Sequence, residues 1–165
     1  MREAAAGDIG FIASLFRLPH AREFLNEPGR AAIEAALEDP NVESYLIEED
    51  GAPAGHFLLR NHEWLFDFGV LIARRPHRGL GTFALCWGIS RAFHGCGAHR
   101  VFLEVREDNV RTRTLCERLG FVAEGLYRDG FRDARTGRYH NLVPYGLLRS
   151  DRPGDAHSNF LEVRA

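Results

Sequence analysis

Two glycines separated by one residue, Gly79 and Gly81, stand between an apolar run and an apolar helix-like segment, and they constrain the fold strongly. The stretch reads RRPHRGLGTFAL over residues 74–85, so arginines and a histidine come directly before the glycines. Glycine lets the backbone approach a ligand closely. If a helix begins at Gly79, its first N–H groups lack partners inside the helix and favour an anion such as a phosphate. The stretch predicts a strand-to-helix turn that binds an anion, or a tight turn that needs glycine for its own dihedral angles.

The hydrophobic pattern elsewhere predicts alternating helices and strands. Helical spacing of apolar residues is found over residues 9–18, 30–38 and 79–94. Strand-like segments bounded by turn signals are found over residues 44–50, 54–60, 66–73, 100–105, 121–133 and 139–149. A further helix is predicted between Asn109 as its N-cap and Gly120 as the residue after its end. Pro144 weakens the last strand, because proline belongs at a sheet edge or a bulge.

The order of these segments predicts a single domain of the α/β class. Helices come first, followed by a hairpin, a strand-helix-strand-helix unit and a closing hairpin, which indicates a mixed sheet under one core. The strand-helix-strand unit should make residues 66–73 and 100–105 parallel neighbours or near neighbours. We expect the domain to span residues 1–149 and residues 150–165 to form a polar tail.

Composition argues against several classes of function. The net charge of −2 does not suit a protein that binds nucleic acid through phosphate contacts. The start, MREAAAGD, has no apolar signal core and no stretch is suited to a membrane span, so we expect a cytoplasmic protein. The three cysteines form no C-x-x-C pair and the histidines lack metal-ligand spacing, which predicts free thiols and no metal.

Charge is unevenly distributed along the chain. Residues 1–50 carry a net charge of −7, whereas residues 51–149 carry +6, all of the basic residues being arginine. This asymmetry would suit a cationic ligand on one side and a phosphorylated ligand on the other. An acidic outer helix face that is merely solvated explains the same pattern equally well.

Two nucleotide-binding motifs must be weighed against the glycine pair. The letters GLGTFA satisfy G-x-G-x-x-A, and an acidic residue, Glu104, ends the next strand, as in dinucleotide-binding folds. The fit is poor, because RRPHR separates the strand from the glycines and a hairpin comes before the unit. A mononucleotide P-loop is excluded because no G-K-[ST] follows. An oxidoreductase would be expected to bind NAD(H) tightly.

Three segments follow one another in an order that carries a family resemblance. They are PHRGLGTFAL, LEVREDNVRTRTLCERLGFVAEG and GRYHNLVPYGLL. The first resembles the Q/R-x-x-G-x-G/A pyrophosphate loop of the GNAT superfamily of N-acetyltransferases, and the second resembles its asparagine-helix-LGF segment. The third is similar to the branch that acetylates N-termini of ribosomal proteins. The resemblance implies a mostly antiparallel twisted sheet flanked by helices, acetyl-CoA as donor, an amine acceptor, and a monomer or homodimer.

The resemblance also implies which residues hold the coenzyme. These are Leu71, Ile72, Ala73, Pro76, His77, Arg78, Gly79, Leu80, Gly81, Thr82, Asn109, Thr112 and Arg113. An N–H near Leu71 would polarise the thioester carbonyl, since donors fixed where charge develops lower a barrier. Two positions depart from the family pattern. Pro76 replaces a glutamine or arginine and removes a donor, and Cys116 replaces a tyrosine that in many members protonates the departing thiolate.

The catalytic acid and base have several candidates. The attacking amine must be neutral, so a carboxylate or a chain of waters should accept its proton, and Glu104, Glu63 and Asp67 are the candidate carboxylates. Glu104 shares a strand face with Phe102, where partial burial would raise its pKa; a surface carboxylate paired with an arginine is the plainer interpretation. Cys116 is either an acid or a small core residue, and the other proton donors are water, Tyr127 and Tyr139. The resemblance implies an N-acetyltransferase that works by direct attack, and the missing tyrosine leaves open a non-catalytic acyl-CoA sensor on the same fold.

Overall fold

The computed structural model describes residues 1–75 and 78–151, apart from the side chains of Val70 and Leu71. Pro76, His77 and the expected polar tail from residue 152 onward lie outside the described residues. The helices are α1 (Ile9–Phe16), α2 (Pro19–Arg22), α3 (Arg30–Glu38), α4 (Leu80–Ser90) and α5 (Val110–Arg118). The strands are β1 (Arg2–Glu3), β2 (Val42–Glu49), β3 (Ala52–His62), β4 (Leu65–Ala73), β5 (Arg100–Arg106), β6 (Val122–Ala123), β7 (Tyr127–Arg132) and β8 (Tyr139–Leu148).

The strands form one sheet in the order β1-β2-β3-β4-β5-β8-β6, and β7 also pairs with β8. Strands β4 and β5 are parallel, and the other pairings are antiparallel. The structure therefore confirms the predicted α/β class, the mostly antiparallel sheet and the parallel neighbours on either side of α4. Among the described residues, no helix combines the length and apolar character that a membrane crossing requires.

Strands β4 and β5 are paired only at their beginnings. The ladder joins Leu65–Asp67 to Arg100–Phe102 and then stops. Beyond that point β4 continues along β3 to Ala73, while β5 continues along β8 to Arg106. The two strands therefore diverge, and we call the space between residues 68–73 of β4 and 103–106 of β5 the gap.

A β-bulge lies where the divergence begins. Leu58 pairs with Val70 and Leu59 pairs with Phe68, so Gly69 has no partner on β3. A bulge adds one residue to one strand, bends it and increases its local twist. Gly69 thus helps to turn the second half of β4 away from β5.

The two faces of the sheet bury different cores. On one face, Phe57, Phe66 and Phe68 pack against α4 in the larger hydrophobic cluster. On the other face, Leu46 and Ile72 pack against apolar residues of α1 and α3. Alternate residues of the central strands β2, β3 and β4 therefore point to opposite helical layers, as the strand period of two requires.

Helix α4 approaches the sheet closely at Gly88. A Cβ atom at this position would lie 2.6 Å from a ring carbon of Phe57 and 3.0 Å from a ring carbon of Phe68. Both rings are buried and meet edge to face. We expect Gly88→Ala to lower the free energy of unfolding by about 1–3 kcal/mol, because overpacking must displace the rings. Urea denaturation measures the effect.

A matched control is available in α1. Gly10 is exposed, and a Cβ atom there would meet nothing within 4 Å. Gly10→Ala should therefore raise the stability by about 0.5–1 kcal/mol, through the better helix propensity of alanine. Equal effects of the two substitutions would contradict the close packing of α4 on the phenylalanines.

His56 is a buried histidine beneath the N-terminal helices. Its side chain is on the same sheet face as Ala54 and Leu58, with only 3% of the residue exposed. Its Nε2 lies 2.9 Å from Ser44 Oγ, while Nδ1 has no hydrogen-bond partner among the described residues. Burial lowers the pKa of His56 to about 4.

This histidine should make the stability depend on pH. The unfolded chain binds the proton near the ordinary pKa of 6.5, whereas the folded protein binds it only near 4. The stabilisation is therefore present above pH 6.5 and is lost during acidification toward pH 4, by up to roughly 3 kcal/mol. Urea denaturation at several pH values, compared between the wild type and His56→Gln, tests this. The same pH dependence in both proteins would show that His56 does not cause it.

Several elements differ from the sequence prediction, among them the unpredicted strand β1 and the division of the predicted segment 121–133 into β6 and β7. Helix α4 gives way to a π-helical turn over Arg91–Gly95, in which Cys96 N donates to Arg91 O. The one-turn helix α2 was not predicted. Pro144 lies inside β8, where its carbonyl accepts from Glu124 N at 2.9 Å. Its ring nitrogen faces the interruption between β6 and β7, so the missing N–H breaks no ladder.

Candidate functional site

The N-terminus of α4 presents peptide N–H groups without helical partners. Gly79 is the N-cap, with φ of +79°, and Phe83 N makes the first helical bond to its carbonyl at 2.9 Å. The N–H groups of Leu80, Gly81 and Thr82 precede that bond, and no side chain among the described residues caps them. A Cβ atom at Gly79 would meet nothing within 4 Å. The N-terminus of α4 therefore presents an open set of N–H donors, which suits an anion. We call this end of α4, residues 79–82, the helix mouth.

Exposed arginines surround this helix end. Arg74, Arg75 and Arg78 are all exposed. Arg78 Nε lies 3.5 Å from Glu49 Oε1, a weak contact at the surface. The guanidinium groups of Arg74 and Arg75 have no ion-pair partner within residues 1–75 and 78–151. Positive charge beside free N–H groups strengthens the case for anion binding.

The register of β4 decides which peptide groups face the gap. Arg74 N donates to Ala54 O at 2.6 Å. In an antiparallel ladder, pairs of residues that exchange backbone hydrogen bonds alternate with pairs that do not. The bond at Ala54–Arg74 therefore makes His56–Ile72 a hydrogen-bonded pair, whereas Gly55–Ala73 and Phe57–Leu71 are non-hydrogen-bonded pairs. The peptide groups of Leu71 and Ala73 therefore point away from β3 and into the gap. The expectation that Ile72 offers its backbone to the coenzyme is corrected, because β3 uses those groups and its side chain is buried.

One of the groups that face the gap already has a partner. His20 Nε2 lies 2.9 Å from the carbonyl oxygen of Ala73 and donates to it, since a carbonyl can only accept. His20 belongs to α2, which comes from the distant N-terminal segment. Sequence analysis missed this residue, because no motif signals a contact over 53 positions.

Glu104 is the carboxylate that the structure places beside the gap. Leu103 and Val105 are buried, whereas Glu104 lies on the Phe102 face, as predicted. Partial burial, and secondarily repulsion from Asp67, raise the pKa of Glu104. Glu104 is exposed, as the interpretation as a surface carboxylate requires, but it has no hydrogen-bond or ion-pair partner in the part of the chain that is described, so the expected pairing with an arginine is wrong.

The other two candidate bases differ from Glu104 in position or partner. Asp67 pairs with Phe102 in the ladder, two residues before Glu104, but Arg60 NH1 donates to it at 2.9 Å. Glu63 lies in the turn before β4, with φ of +64°, at the opposite end of that strand from the helix mouth. The structure therefore groups Asp67 with Glu104 and separates Glu63 from both.

Helix α5 begins beside the open end of β5. Asn109 is its N-cap, and its side chain accepts from Thr112 N at 3.2 Å, which confirms the predicted cap. Arg113 donates to Tyr145 OH at 3.1 Å and to Glu107 O at 3.0 Å. The side chains of Asn109 and Arg113 are therefore already held by the protein.

Cys116 does not reach the gap. It has 0% exposure, it belongs to the larger hydrophobic cluster, and burial raises its pKa to about 12. The prediction of a core residue is confirmed, and Cys116 as catalytic acid is corrected, because its thiol has no path to a ligand. Tyr127 and Tyr139 are both exposed. Tyr127 and Arg106 both pair with Leu142 of β8, which places Tyr127 near the open end of the gap. Tyr139 pairs with Arg132 and lies toward the far end of the hairpin.

Replacing Cys116 separates packing from chemistry. We expect Cys116→Ala to lower the free energy of unfolding by about 1 kcal/mol, because a small buried group is removed. The kcat of any catalysed reaction should remain within roughly two-fold, since the thiol takes no part. Urea denaturation and initial rates measure the two effects. A loss of kcat with unchanged stability would restore Cys116 as a catalytic group.

Comparisons with known proteins agree on one family and one fold. The model of the Acetyltransferase (GNAT) family matches residues 10–121. A Bacillus subtilis (strain 168) protein named "Putative ribosomal N-acetyltransferase YdaF" is 32% identical over 110 residues, which cover 64% of this chain. The match spans 59% of the length of that curated relative.

Solved structures share the whole architecture. The spermidine N-acetyltransferase of Vibrio cholerae in complex with CoA and spermine has a TM-score of 0.77 at 21% identity, over 91% of this chain and 95% of that chain. A dodecameric structure of the Vibrio cholerae enzyme has a TM-score of 0.76 at 20% identity, over 94% and 96%. At these identities, the likeness establishes the fold.

Proposed function

Because the chain belongs to the acetyltransferase (GNAT) family, we propose that it transfers an acetyl group from acetyl-CoA to a primary amine. The acceptor is a small molecule or a protein N-terminus. One observation carries the proposal: the N-terminus of α4 lies at the end of β4 beside the gap, the carboxylate of Glu104 lies along β5, and neither is capped or paired by any residue in 1–75 or 78–151.

The residues around the gap suit the charge of coenzyme A. The N–H groups of Leu80, Gly81 and Thr82 would bind the diphosphate, with Arg78 supplying mobile positive charge. The open space over Gly79 leaves room for a phosphate close to the backbone. Pro76 and His77 stay candidates of the same loop, outside the described residues. On the β5 side, Asn109, Thr112 and Arg113 border the same opening.

The backbone of β4 would hold the pantetheine arm. Its free edge offers the peptide group of Leu71 and the N–H of Ala73. When bound, acetyl-CoA supplies a thioester whose acyl carbon is open to attack. The N–H of Leu71 would donate to the oxygen of that carbonyl, where negative charge develops during attack, and one such donor lowers a barrier by about 3–4 kcal/mol.

Glu104 would act as the general base. A primary amine reaches the site as an ammonium ion and must lose a proton before it can attack. The raised pKa of the Glu104 carboxyl makes it a better proton acceptor near neutral pH than an ordinary glutamate. The amine nitrogen then forms the C–N bond, the C–S bond breaks, and the thiolate takes a proton from water or from Tyr127.

The acceptor has two candidates of different size. The curated relative is named for ribosomal N-acetylation, and a structural neighbour is named for spermidine. The acidic residues of the first 50 positions would attract either cationic acceptor. We expect the enzyme to be cytoplasmic and to act as a monomer or homodimer.

The buried Cys116 supports a second candidate function, a non-catalytic acyl-CoA sensor, because the usual proton donor is missing at this position. Incubation of the protein with acetyl-CoA and a panel of polyamines and N-terminal peptides, followed by measurement of free thiol, distinguishes the two functions. We expect thiol release with at least one amine. Binding of acetyl-CoA without turnover across the panel would favour the sensor, and tighter binding of NAD(H) would contradict both.

A further inference from the structure

The chain segment 19–26 crosses the open end of the gap, and we call it the strap. It begins with α2 and includes the loop before α3. At its first end, the imidazole of His20 donates to the carbonyl of Ala73, the last residue of β4. The strap is thus fastened to the strand that leads into the helix mouth.

The other end of the strap is fastened to β5 by Arg106. Arg106 is the last residue of β5, and only 7% of it is exposed. Its NH1 donates to Glu23 O, and its Nε and NH2 donate to the carboxylate of Asp108. The Phe24 ring lies 5.2 Å from the guanidinium carbon, within the range of a cation–π contact.

A third set of contacts ties the strap to the closing hairpin. Asn26 Nδ2 donates to Arg132 O at 2.9 Å, and Ala134 N donates to Asn26 Oδ1 at 2.8 Å. The Phe131 ring of β7 lies 5.5 Å from the guanidinium carbon of Arg106, so this group contacts rings from two separate elements. One arginine side chain therefore joins β5, the strap and β7.

We propose that His20 and Arg106 are positioning residues for acetyl-CoA, which hold the ends of β4 and β5 at a fixed separation through the strap. The proposal rests on the proposed function, because it assigns the width of the gap to coenzyme binding. His20 and Glu23 are three residues apart, about 4.5 Å along a helix, so less than one helical turn separates the attachment to β4 from the attachment to β5. Neither residue donates or accepts a proton in the reaction.

The contacts suit this role better than a role in stability alone. His20 holds the carbonyl of Ala73, a residue whose own N–H faces the gap, so loss of the imidazole would let the end of β4 move without unfolding a core. The guanidinium of Arg106 is buried, which is costly unless its donors are satisfied, and its fork binds the strap and Asp108 together. A lysine could not reproduce this geometry.

The test is steady-state kinetics with acetyl-CoA as the varied substrate. His20→Leu removes the donor to Ala73. It should raise the KM for acetyl-CoA about five-fold, the effect of losing one hydrogen bond, while kcat stays within two-fold of the wild type. His20→Gln keeps a donor and should restore most of the affinity. Glu27→Gln, just beyond the strap, is the control and should leave both constants unchanged.

The attachment of the strap to β5 through Arg106 is tested in the same assay. Arg106→Lys should raise the KM at least as much as His20→Leu, and faster hydrogen exchange over residues 19–26 should accompany it. If Arg106→Lys fails to fold, Asn26→Ala loosens the strap from an exposed position and should raise the KM in the same direction.

The outcomes are separable. An unchanged KM in His20→Leu and in the Arg106 or Asn26 variant, with faster exchange in the strap, would overturn the positioning role and leave the proposed function intact. A fall in kcat at constant KM would overturn it too, since that pattern belongs to a group that acts on the reacting atoms. Wild-type protein that fails to bind acetyl-CoA would overturn the proposed function and the strap's role with it.

Discussion

Replacing Glu104 by glutamine is expected to lower kcat for acetyl transfer by roughly 100- to 1000-fold, the usual contribution of a positioned general base. The substitution keeps the size of the side chain and removes its ability to accept a proton. Since the side chain of Glu104 has no partner among the residues described, the fold should be unaffected. Initial rates with saturating acetyl-CoA measure the effect, and unchanged melting temperature confirms an intact fold.

The pH dependence of the same reaction distinguishes the base from a merely nearby carboxylate. Glu104 works when deprotonated, so the rate should fall as the pH falls through its pKa. Partial burial and repulsion from Asp67 raise that pKa, so the fall begins at a higher pH than for an ordinary glutamate. Asp67→Asn removes the repulsion and should move the acidic limb to lower pH. In Glu104→Gln the limb should disappear.

Glu63 provides the matched control. It is an exposed carboxylate in the turn before β4, at the end of the strand away from the helix mouth. Glu63→Gln should leave the rate and its pH dependence unchanged. If Glu63→Gln and Glu104→Gln have similar small effects, the amine loses its proton to water and Glu104 is not the base.

Local signals in the sequence were enough to predict most elements. The N-cap Asn109 was read from its residue type, and Gly120 has the expected positive φ of +90°. Phe121 N donates to Cys116 O and Gly120 N to Glu117 O, the pattern of a glycine-ended helix. Such signals depend on a few consecutive residues, so a single sequence contains them.

The gap itself could not be predicted, because it depends on where the pairing of β4 and β5 stops. Nothing in the two apolar strands marks the end of their ladder after Asp67, and the bulge at Gly69 shifts the register by one residue. A shift of one residue reverses which peptide groups face the gap. The resemblance implied the backbone of Leu71, Ile72 and Ala73 alike, and only the register shows that the groups of Ile72 are bonded to β3. The burial of Cys116 likewise depends on how α5 is rotated against the sheet.

The strap is the part of the candidate site farthest from sequence reasoning. His20 lies in a four-residue helix, and its partner Ala73 is 53 positions away. Arg106 ends a strand whose charged residues would ordinarily be assigned to the surface. Its burial follows from ring contacts with Phe24 and Phe131, which come from opposite ends of the chain. Contacts of this kind require the tertiary structure.

Replacing Gly79 by valine is expected to weaken coenzyme A binding by roughly 10- to 100-fold, the worth of a charge-assisted hydrogen bond. Valine would place a branched side chain in the open space over the helix mouth, where a phosphate must approach the N–H groups. The positive φ of +79° adds backbone strain of about 1–3 kcal/mol, so stability must be measured beside affinity.

Gly97 supplies a control with the same strain at another place. Its φ is +71°, and a Cβ atom there would also meet nothing within 4 Å, but it lies in the loop before β5, past the opposite end of α4. Gly97→Val should lower the melting temperature about as much as Gly79→Val and leave the affinity for coenzyme A unchanged. Calorimetric titration with coenzyme A measures both variants. If the two variants bind with equal affinity, the uncapped N–H groups of α4 do not hold the diphosphate, because a side chain placed over them has cost nothing.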